Sequence, residues 1–254
     1  MLGPKEYTMK IINRLFCATA AVACASATVL VAASPANAHD AGVTAEEVAA
    51  ILRENPEIVM EAMQLAQQKQ REMETQALAA RVAPVASTIF AGDKQVAFVG
   101  PEDGTAIIEF FDYNCGFCKR FSAETAKPLV AEGKTKIFLV HTPILGEGSV
   151  RMAELAAAAN LQGKFAPAHN FLIENGAKTA AEADALIPQL IAAAGLDKRK
   201  FDKALADGSA KAQADHNAAL AEKAGVAGTP MVYANGQAIP GAIPLGPLKQ
   251  ILGS

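Results

Sequence analysis

The chain has 254 residues, is 51% hydrophobic and 19% charged, and carries a formal net charge of −3 at pH 7. A mildly acidic balance excludes a surface built to neutralise nucleic-acid phosphates. Four cysteines in a chain of this length exclude a small disulfide-stapled scaffold, while leaving ample length for a core of its own.

Lys10 and Arg14 precede an apolar run over residues 15–33, and Ser34-Pro35-Ala36-Asn37-Ala38 follows with the small-residue spacing that suits signal peptidase. Residues 1–38 therefore read as a secretory signal peptide cut after Ala38. A lipid anchor at Cys24 fits less well, because residues 25–31 stay apolar where a mature lipoprotein turns polar. An uncleaved anchor is disfavoured by the break at Pro35. Cleavage leaves 216 residues of formal charge −5, since Lys5, Lys10, Arg14 and Glu6 go with the signal. It also removes Cys17 and Cys24, so the exported chain keeps Cys115 and Cys118 alone, a pair for chemistry on other proteins rather than for stapling.

Thr44 with Glu47 three residues on is a capping-box pattern, and it predicts a short amphipathic helix through Arg53 with Val48, Ile51 and Leu52 on one face. Asn55-Pro56 punctuates it. Residues 56–83 are rich in Ala, Gln, Glu and Met and lack glycine, which predicts one long helix. Val59, Met63, Ala66, Met73, Ala77 and Ala80 follow heptad spacing, interrupted by Gln70. Residues 39–83 are then either an oligomerisation stalk, the reading preferred because so thin a seam makes a poor monomer core, or an amphipathic helix folded back on the domain that follows or a partly mobile linker.

Strands are expected at residues 95–99 and 106–112, the second entered through the turn at Asp103-Gly104. A helix opening at the cysteines is expected to end near Gly133, with a further strand at Thr135–His141. Residues 149–225 are alanine-rich and helical in pattern, broken at Gly163, Asn175-Gly176, Gly195 and Asp207-Gly208, which suggests four or five helices. Asn235-Gly236 between residues 231–234 and 237–239 is a strong hairpin signal, and a closing helix follows over residues 247–252. Strand, helix, strand, helical insertion, hairpin and helix is the α/β layout of a thioredoxin fold carrying an inserted helical domain, here preceded by the N-terminal helical stalk.

Tyr113-Asn114-Cys115-Gly116-Phe117-Cys118 joins the central strand to the helix after it. Two thiols two residues apart at a helix N-terminus can close a small disulfide ring, and the free N–H groups there favour a thiolate on the first. Cys115 is the candidate nucleophile, and Cys118, one turn in, the candidate resolving thiol. A structural zinc site would need four ligands; only this pair remains, and His39, His141, His169 and His216 show no ligand spacing. Thr229-Pro230 leads into the hairpin from a glycine-flexible loop, a plausible cis peptide that would turn the Thr229 backbone outward to pair with an extended substrate. Phe117 is expected to be exposed and to meet substrate apolar segments. Phe110, Phe111, Phe121, Phe138 and His141 are expected in the core, and His169 and His216 on the insertion as surface or packing residues.

The stretch IIEFFDYNCGFCKRF, with GVAGTPMVYANG about 110 residues on, resembles the DsbA-like branch of the thioredoxin superfamily over roughly residues 95–254. With the signal peptide and long N-terminal helix, the chain is most similar to the suppressor-of-copper-sensitivity C proteins. That resemblance implies a periplasmic thiol-disulfide oxidoreductase over residues 84–254 that shuffles or reduces disulfides, is linked to copper tolerance and needs no cofactor. It implies a homotrimer built through the N-terminal helices, unfolded or misdisulfided exported proteins as substrates, and a membrane thiol reductase as electron donor. Residue by residue, it assigns nucleophile to Cys115, resolving thiol to Cys118, cis-proline to Pro230, the residue before it to Thr229, and a buried acid serving Cys118 to Glu109. Lys136 and His141 both lie near enough to be that acid's basic partner. Gly116-Phe117 resembles the dipeptide of disulfide isomerases; strongly oxidising members carry a histidine there that stabilises the thiolate. A monomeric dithiol oxidase or reductant is the same-chemistry alternative. Copper(I) capture by the two thiols, with a separate amine-imidazole copper(II) site at His39 once it becomes the new N-terminus, is the alternative from another class.

Overall fold

The computed structural model describes residues 43–253, so the expected signal peptide, Cys17, Cys24 and His39 lie outside the described residues. Helix α1 (Ala45–Glu54) begins where the capping box predicts: Thr44 Oγ1 accepts from Glu47 N at 3.2 Å, and Thr44 N donates to Glu47 Oε2 at 2.9 Å. None of its residues is buried, and Val48 and Ile51 are largely open to solvent.

From Pro56 onward the chain forms a second unit. Helix α2 (Pro56–Phe90) runs past the end expected near residue 83. Its side chains are exposed up to residue 74, and then Val82, Val85, Ala86 and Ile89 become core at helical spacing. Pro84 removes one amide from the helix ladder, but at a point where Ala80 and Pro84 are both solvent-exposed, and burial of the flanking apolar residues carries the helix through it. The last turns of α2 thus belong to the domain that follows, while the heptad positions Val59, Met63, Ala66, Met73, Ala77 and Ala80 all stay exposed. Ile89→Ala is expected to cost about 2–5 kcal/mol in urea unfolding, whereas Ile58→Ala on the exposed half should fall within about 0.5 kcal/mol.

Strands β1 (Ala97–Val99), β2 (Thr105–Phe111), β3 (Thr135–His141), β4 (Met231–Ala234) and β5 (Gln237–Pro240) form one sheet in the order β1-β3-β2-β4-β5. Strands β2 and β3 are parallel and the other pairs antiparallel. Their fully buried residues read as continuous apolar runs because helices cover both faces. Ile107, Phe111, Ile137 and Leu139 face the cysteine helix and the insertion; Ile108, Phe110, Phe138 and Val140 face the end of α2. The β4–β5 turn places Asn235 at φ 47 and Gly236 at φ 76, the left-handed pair that a two-residue hairpin requires.

Between β2 and β3 lie helix α3 (Gly116–Phe121), a π-helical turn (Ser122–Ala126) and helix α4 (Lys127–Ala131). Pro128 has no amide to donate, so the ladder loosens by one residue and Lys127 N–H reaches back to Ser122 O. The insertion comprises α5 (Glu147–Asn160), α6 (Phe165–Asn175), α7 (Ala180–Ala185), α8 (Ile187–Ala194), α9 (Lys198–Ala206) and α10 (Ser209–Lys223), six helices rather than four or five. All four expected breaks occur. The additional one falls at Leu186, where Pro188 withholds an amide after the Thr179–Glu182 capping box has started α7. Helix α11 (Leu245–Leu252) closes the chain, and no described helix is long and apolar enough to cross a membrane.

Candidate active site

Strand β2 ends at the buried Phe111, the next residue Asp112 is buried too, and Cys115 N–H donates to Asp112 O at 3.1 Å, turning the chain into α3. Cys115 occupies the N-cap position of α3 without spending its side chain on the cap. Its thiol instead donates to Thr229 O at 3.2 Å, across 114 residues of sequence. The Thr229-Pro230 peptide is cis, as expected. Cys115 retains 6% exposure and Cys118 none, and both are free thiols. Gly116 and Phe117 between them are exposed, Phe117 at 59%, with the Arg120 guanidinium over its ring at 4.8 Å.

Glu109 is buried, with Leu139 and Val232 as its cross-strand partners. Burial, and then the neighbouring charge of Cys115, push its carboxyl up to about 8. Burial and the Glu109 carboxylate likewise push the Cys118 thiol far above its ordinary range. Each of these groups opposes the other's ionisation, so a proton leaving Cys118 needs a nearby acceptor. A cavity of about 280 Å³ reaches Glu109 and is also lined by Ser122, Lys127, His169 and Asn170, giving the carboxyl room for several waters.

Neither residue considered as its basic partner serves. Lys136 lies on the opposite face of β3, where Nζ donates to Glu102 O and Glu102 Oε1, both at 3.0 Å, over the Phe98 and Phe138 rings. His141 is on the right face, but desolvation holds its imidazole neutral, pushed down to about 3, and neither ring nitrogen has a hydrogen-bond partner among the described residues. The cation sharing the cavity with Glu109 is Lys127, the first residue of α4, which also pairs with Glu174 at 2.7 Å.

His169 is buried, the packing position among the two expected for it, and Tyr113 OH meets its Nδ1 at 3.3 Å. It stacks on Phe165 with ring centroids 5.5 Å apart, and lies edge-on to Phe111 at 5.2 Å. His216 pairs with Asp93 at 2.6 Å and takes no part in this cluster.

A polar network secures the turn that carries the dithiol. Asp112 Oδ1 accepts from Asn114 N at 2.8 Å and Ser149 Oγ at 2.7 Å, and its Oδ2 accepts from Leu145 N at 3.0 Å. The Asn114 amide donates to Ser149 Oγ and Ala177 O at 2.8 and 2.6 Å and accepts from Ala177 N at 2.8 Å. Gly148 allows this close approach, since a Cβ there would collide with Ala177 O. The network fastens the dithiol turn to the insertion. Asp112 and Asn114 are turn formers at a strand end, a signal that was available; Ser149 and Ala177 carry none. Ser149→Ala should cost about 1–3 kcal/mol by leaving Asp112 short of a donor, read by chemical denaturation. Among the described residues no group of three or more His, Cys, Asp or Glu is arranged to hold a metal ion.

Residues 106–253 match the DSBA-like thioredoxin domain, and no curated protein matches the chain significantly. Among solved structures, the chain is similar to the thiol-disulfide exchange protein alpha-DsbA2 from Wolbachia pipientis, at 24% identity over 70% of this chain and 95% of that one, with a TM-score of 0.61. A thioredoxin-like oxidoreductase from Silicibacter pomeroyi DSS-3 is 30% identical over 63% of this chain and 92% of that one, TM-score 0.56. A linker-deletion mutant of Proteus mirabilis ScsC is 20% identical over 84% of this chain and 97% of that one, TM-score 0.56. The family match takes in the central strand, both cysteines, the insertion, the cis-proline loop and the closing helix, and on that extent the chain belongs to the DSBA-like thioredoxin domain family.

Proposed function

We propose that the chain is an exported periplasmic thiol-disulfide oxidoreductase that rearranges and reduces wrong disulfides in exported proteins, assembled as a homotrimer through residues 39–83. The observation that carries this reading is the division of labour between the two sulfurs: Cys115 lies 3.2 Å from Thr229 O at the edge of the cis-proline loop, and Cys118 is fully buried behind it. One sulfur can meet a substrate and the other can only meet its neighbour.

The Cys115 thiolate attacks one sulfur of a substrate disulfide, forming a mixed disulfide and releasing the other sulfur as a thiolate. Phe117 and the Thr229 backbone hold the substrate chain beside it. If a second substrate thiolate attacks the substrate-side sulfur, the disulfide is rearranged and Cys115 is regenerated. If Cys118 attacks Cys115 Sγ instead, the substrate leaves as a dithiol and the protein is left with a Cys115–Cys118 disulfide. A membrane thiol reductase then returns two electrons. Glu109 takes the Cys118 proton in that second route. At about 8, roughly one carboxyl in ten is ionised at pH 7. Mixed-disulfide formation removes the Cys115 charge that helps raise this value, so the base forms more readily when it is needed.

Gly116-Phe117 between the thiols favours isomerisation over strong oxidation, as in the family members that carry a similar dipeptide. The exposed heptad positions of α2 support assembly: Met63 and Met73 are 53% and 65% exposed on a face that the packed turns leave free. Several dithiols around one cavity would hold a single misfolded chain.

Reactivation of scrambled ribonuclease by the reduced protein tests the reading, with recovery expected. Insulin reduction without ribonuclease recovery would replace it with a general reductant. A truncation that removes the exposed helix but keeps the turns packed from Thr75 onward should lose isomerase activity and retain insulin reduction, with a monomer on sedimentation. An unchanged isomerase would remove the assembly from the mechanism.

A further inference from the structure

The cis-proline loop, whose Ala227 and Gly228 are solvent-exposed, forms one wall of an open groove of about 630 Å³, whose other wall is α2 through Arg71, Glu74, Thr75, Leu78 and Arg81. Thr229 lines this groove while its carbonyl accepts the Cys115 thiol, so one residue joins the groove to the nucleophile. Leu78, Val226, Pro230 and Met231 supply apolar lining. The amides of Ala227, Gly228 and Thr229 have no backbone partner among the described residues.

Two cations bracket it. Neither Arg71 nor Arg81 has a side-chain hydrogen bond or ion pair among the described residues. Glu74, the acid between them, accepts from Gln70 Nε2 at 2.7 Å. The Arg81 side chain passes close over Gly225, at φ +69, where an added Cβ would come within 2.8 Å of Arg81 Nε. An acidic chain has thus left an excess of unpaired positive charge on one wall of the groove beside its nucleophile. Ten residues of helix separate the two arginines by about 15 Å, the length of four to five residues of extended polypeptide at about 3.3 Å each.

We infer that this groove is the subsite for the polypeptide flanking the reacting cysteine, and that Arg71 and Arg81 select extended segments carrying acidic side chains. The inference rests on the thiol-exchange reading above. The substrate backbone pairs with the free loop amides, its apolar side chains meet Leu78 and Met231, and its carboxylates meet the two guanidiniums, which favour planar bidentate partners.

The test uses the full reduced protein and two short peptides, each with one cysteine held as a mixed disulfide with 2-mercaptoethanol. One peptide carries aspartates on both sides of the cysteine and the other serines. Each turnover converts the protein dithiol to a disulfide and releases the peptide thiol and 2-mercaptoethanol, which are quantified. At low salt the acidic peptide should react about tenfold faster in kcat/KM, the combined effect of two partly exposed ion pairs. The ratio should approach one at about 0.5 M salt, where screening is short-ranged. It should likewise approach one in the double variant Arg71→Gln with Arg81→Gln, each protein being its own control through the ratio. Equal rates in the unaltered protein at low salt, or a preference that survives in the double variant, would overturn the inference. Hydroxyethyl disulfide separates the two claims: if it is reduced while no peptide preference is seen, the subsite alone fails, and if it is not reduced, the thiol-exchange reading falls and the subsite with it.

Discussion

Cys115→Ser is expected to abolish both ribonuclease reactivation and insulin reduction, by at least about a thousandfold, because no other described thiol reaches substrate. Cys118 is fully buried and cannot substitute for it. Cys118→Ser should behave differently. The first attack remains possible, but the mixed disulfide loses its internal escape, so covalent protein–substrate adducts should accumulate on non-reducing gels while part of the isomerisation persists. Glu109→Gln should fall between the two: the first attack survives, and release through Cys118 slows because its proton has lost the nearest acceptor. Single-turnover release of reduced substrate is the measurement to make. An adduct that decays as fast in Glu109→Gln as in the unaltered protein would remove the carboxylate from that step.

The second large effect is on stability against pH, where three buried groups act in opposite directions. Glu109 is raised from 4.5 to about 8 in the fold. The native state therefore keeps a proton that the unfolded chain gives up, and stability falls with rising pH between those limits, at about 1.4 kcal/mol per unit. His141 and His169 are lowered from 6.5 to about 3 by burial. There the unfolded chain gains protons that the native state refuses, and stability falls as pH drops below 6.5, at about 2.7 kcal/mol per unit for the pair. Below 6.5 the histidines outweigh the carboxyl; above it the carboxyl acts alone. Maximum stability is therefore expected near pH 6.5, about 4 kcal/mol above that at pH 4 and about 2 kcal/mol above that at pH 8. Urea unfolding across this range checks the profile. Glu109→Gln should flatten the alkaline side, and His141→Leu should soften the acid side while removing two ring nitrogens that have no partner. A profile unchanged by both variants would show that these groups do not govern it.

Much of this protein was legible in its amino-acid order, and for local reasons. The Thr44 capping box, the Asn235-Gly236 hairpin, the four glycine-marked breaks in the insertion and the placement of Cys115-Gly116-Phe117-Cys118 between a strand and a helix are properties of a few adjacent residues. Backbone conformation at such points follows from side-chain chemistry within a turn or two. The burial of Glu109 drew on family resemblance as well, since strand alternation alone allows either face.

Only the tertiary structure decided the rest, because it depends on what distant segments bring together. Helix α2 continues to Phe90 because the sheet offers Val85, Ala86 and Ile89 a surface to bury against, which no local pattern announces. His169 and Lys127 converge on the cavity at Glu109 from α6 and α4, while Lys136, nearer in sequence to the expected strand position, points to the other face. Ser149 and Ala177 hold the dithiol turn through hydrogen bonds spanning 35 and 63 residues. The amino-acid order by itself determined most of the elements and the placement of Cys115 and Cys118 between a strand and a helix; the fold decided where α2 ends, the electrostatic surroundings of the two thiols and the groove beside them, since desolvation and charge pairing depend on three-dimensional neighbours and not on sequence spacing.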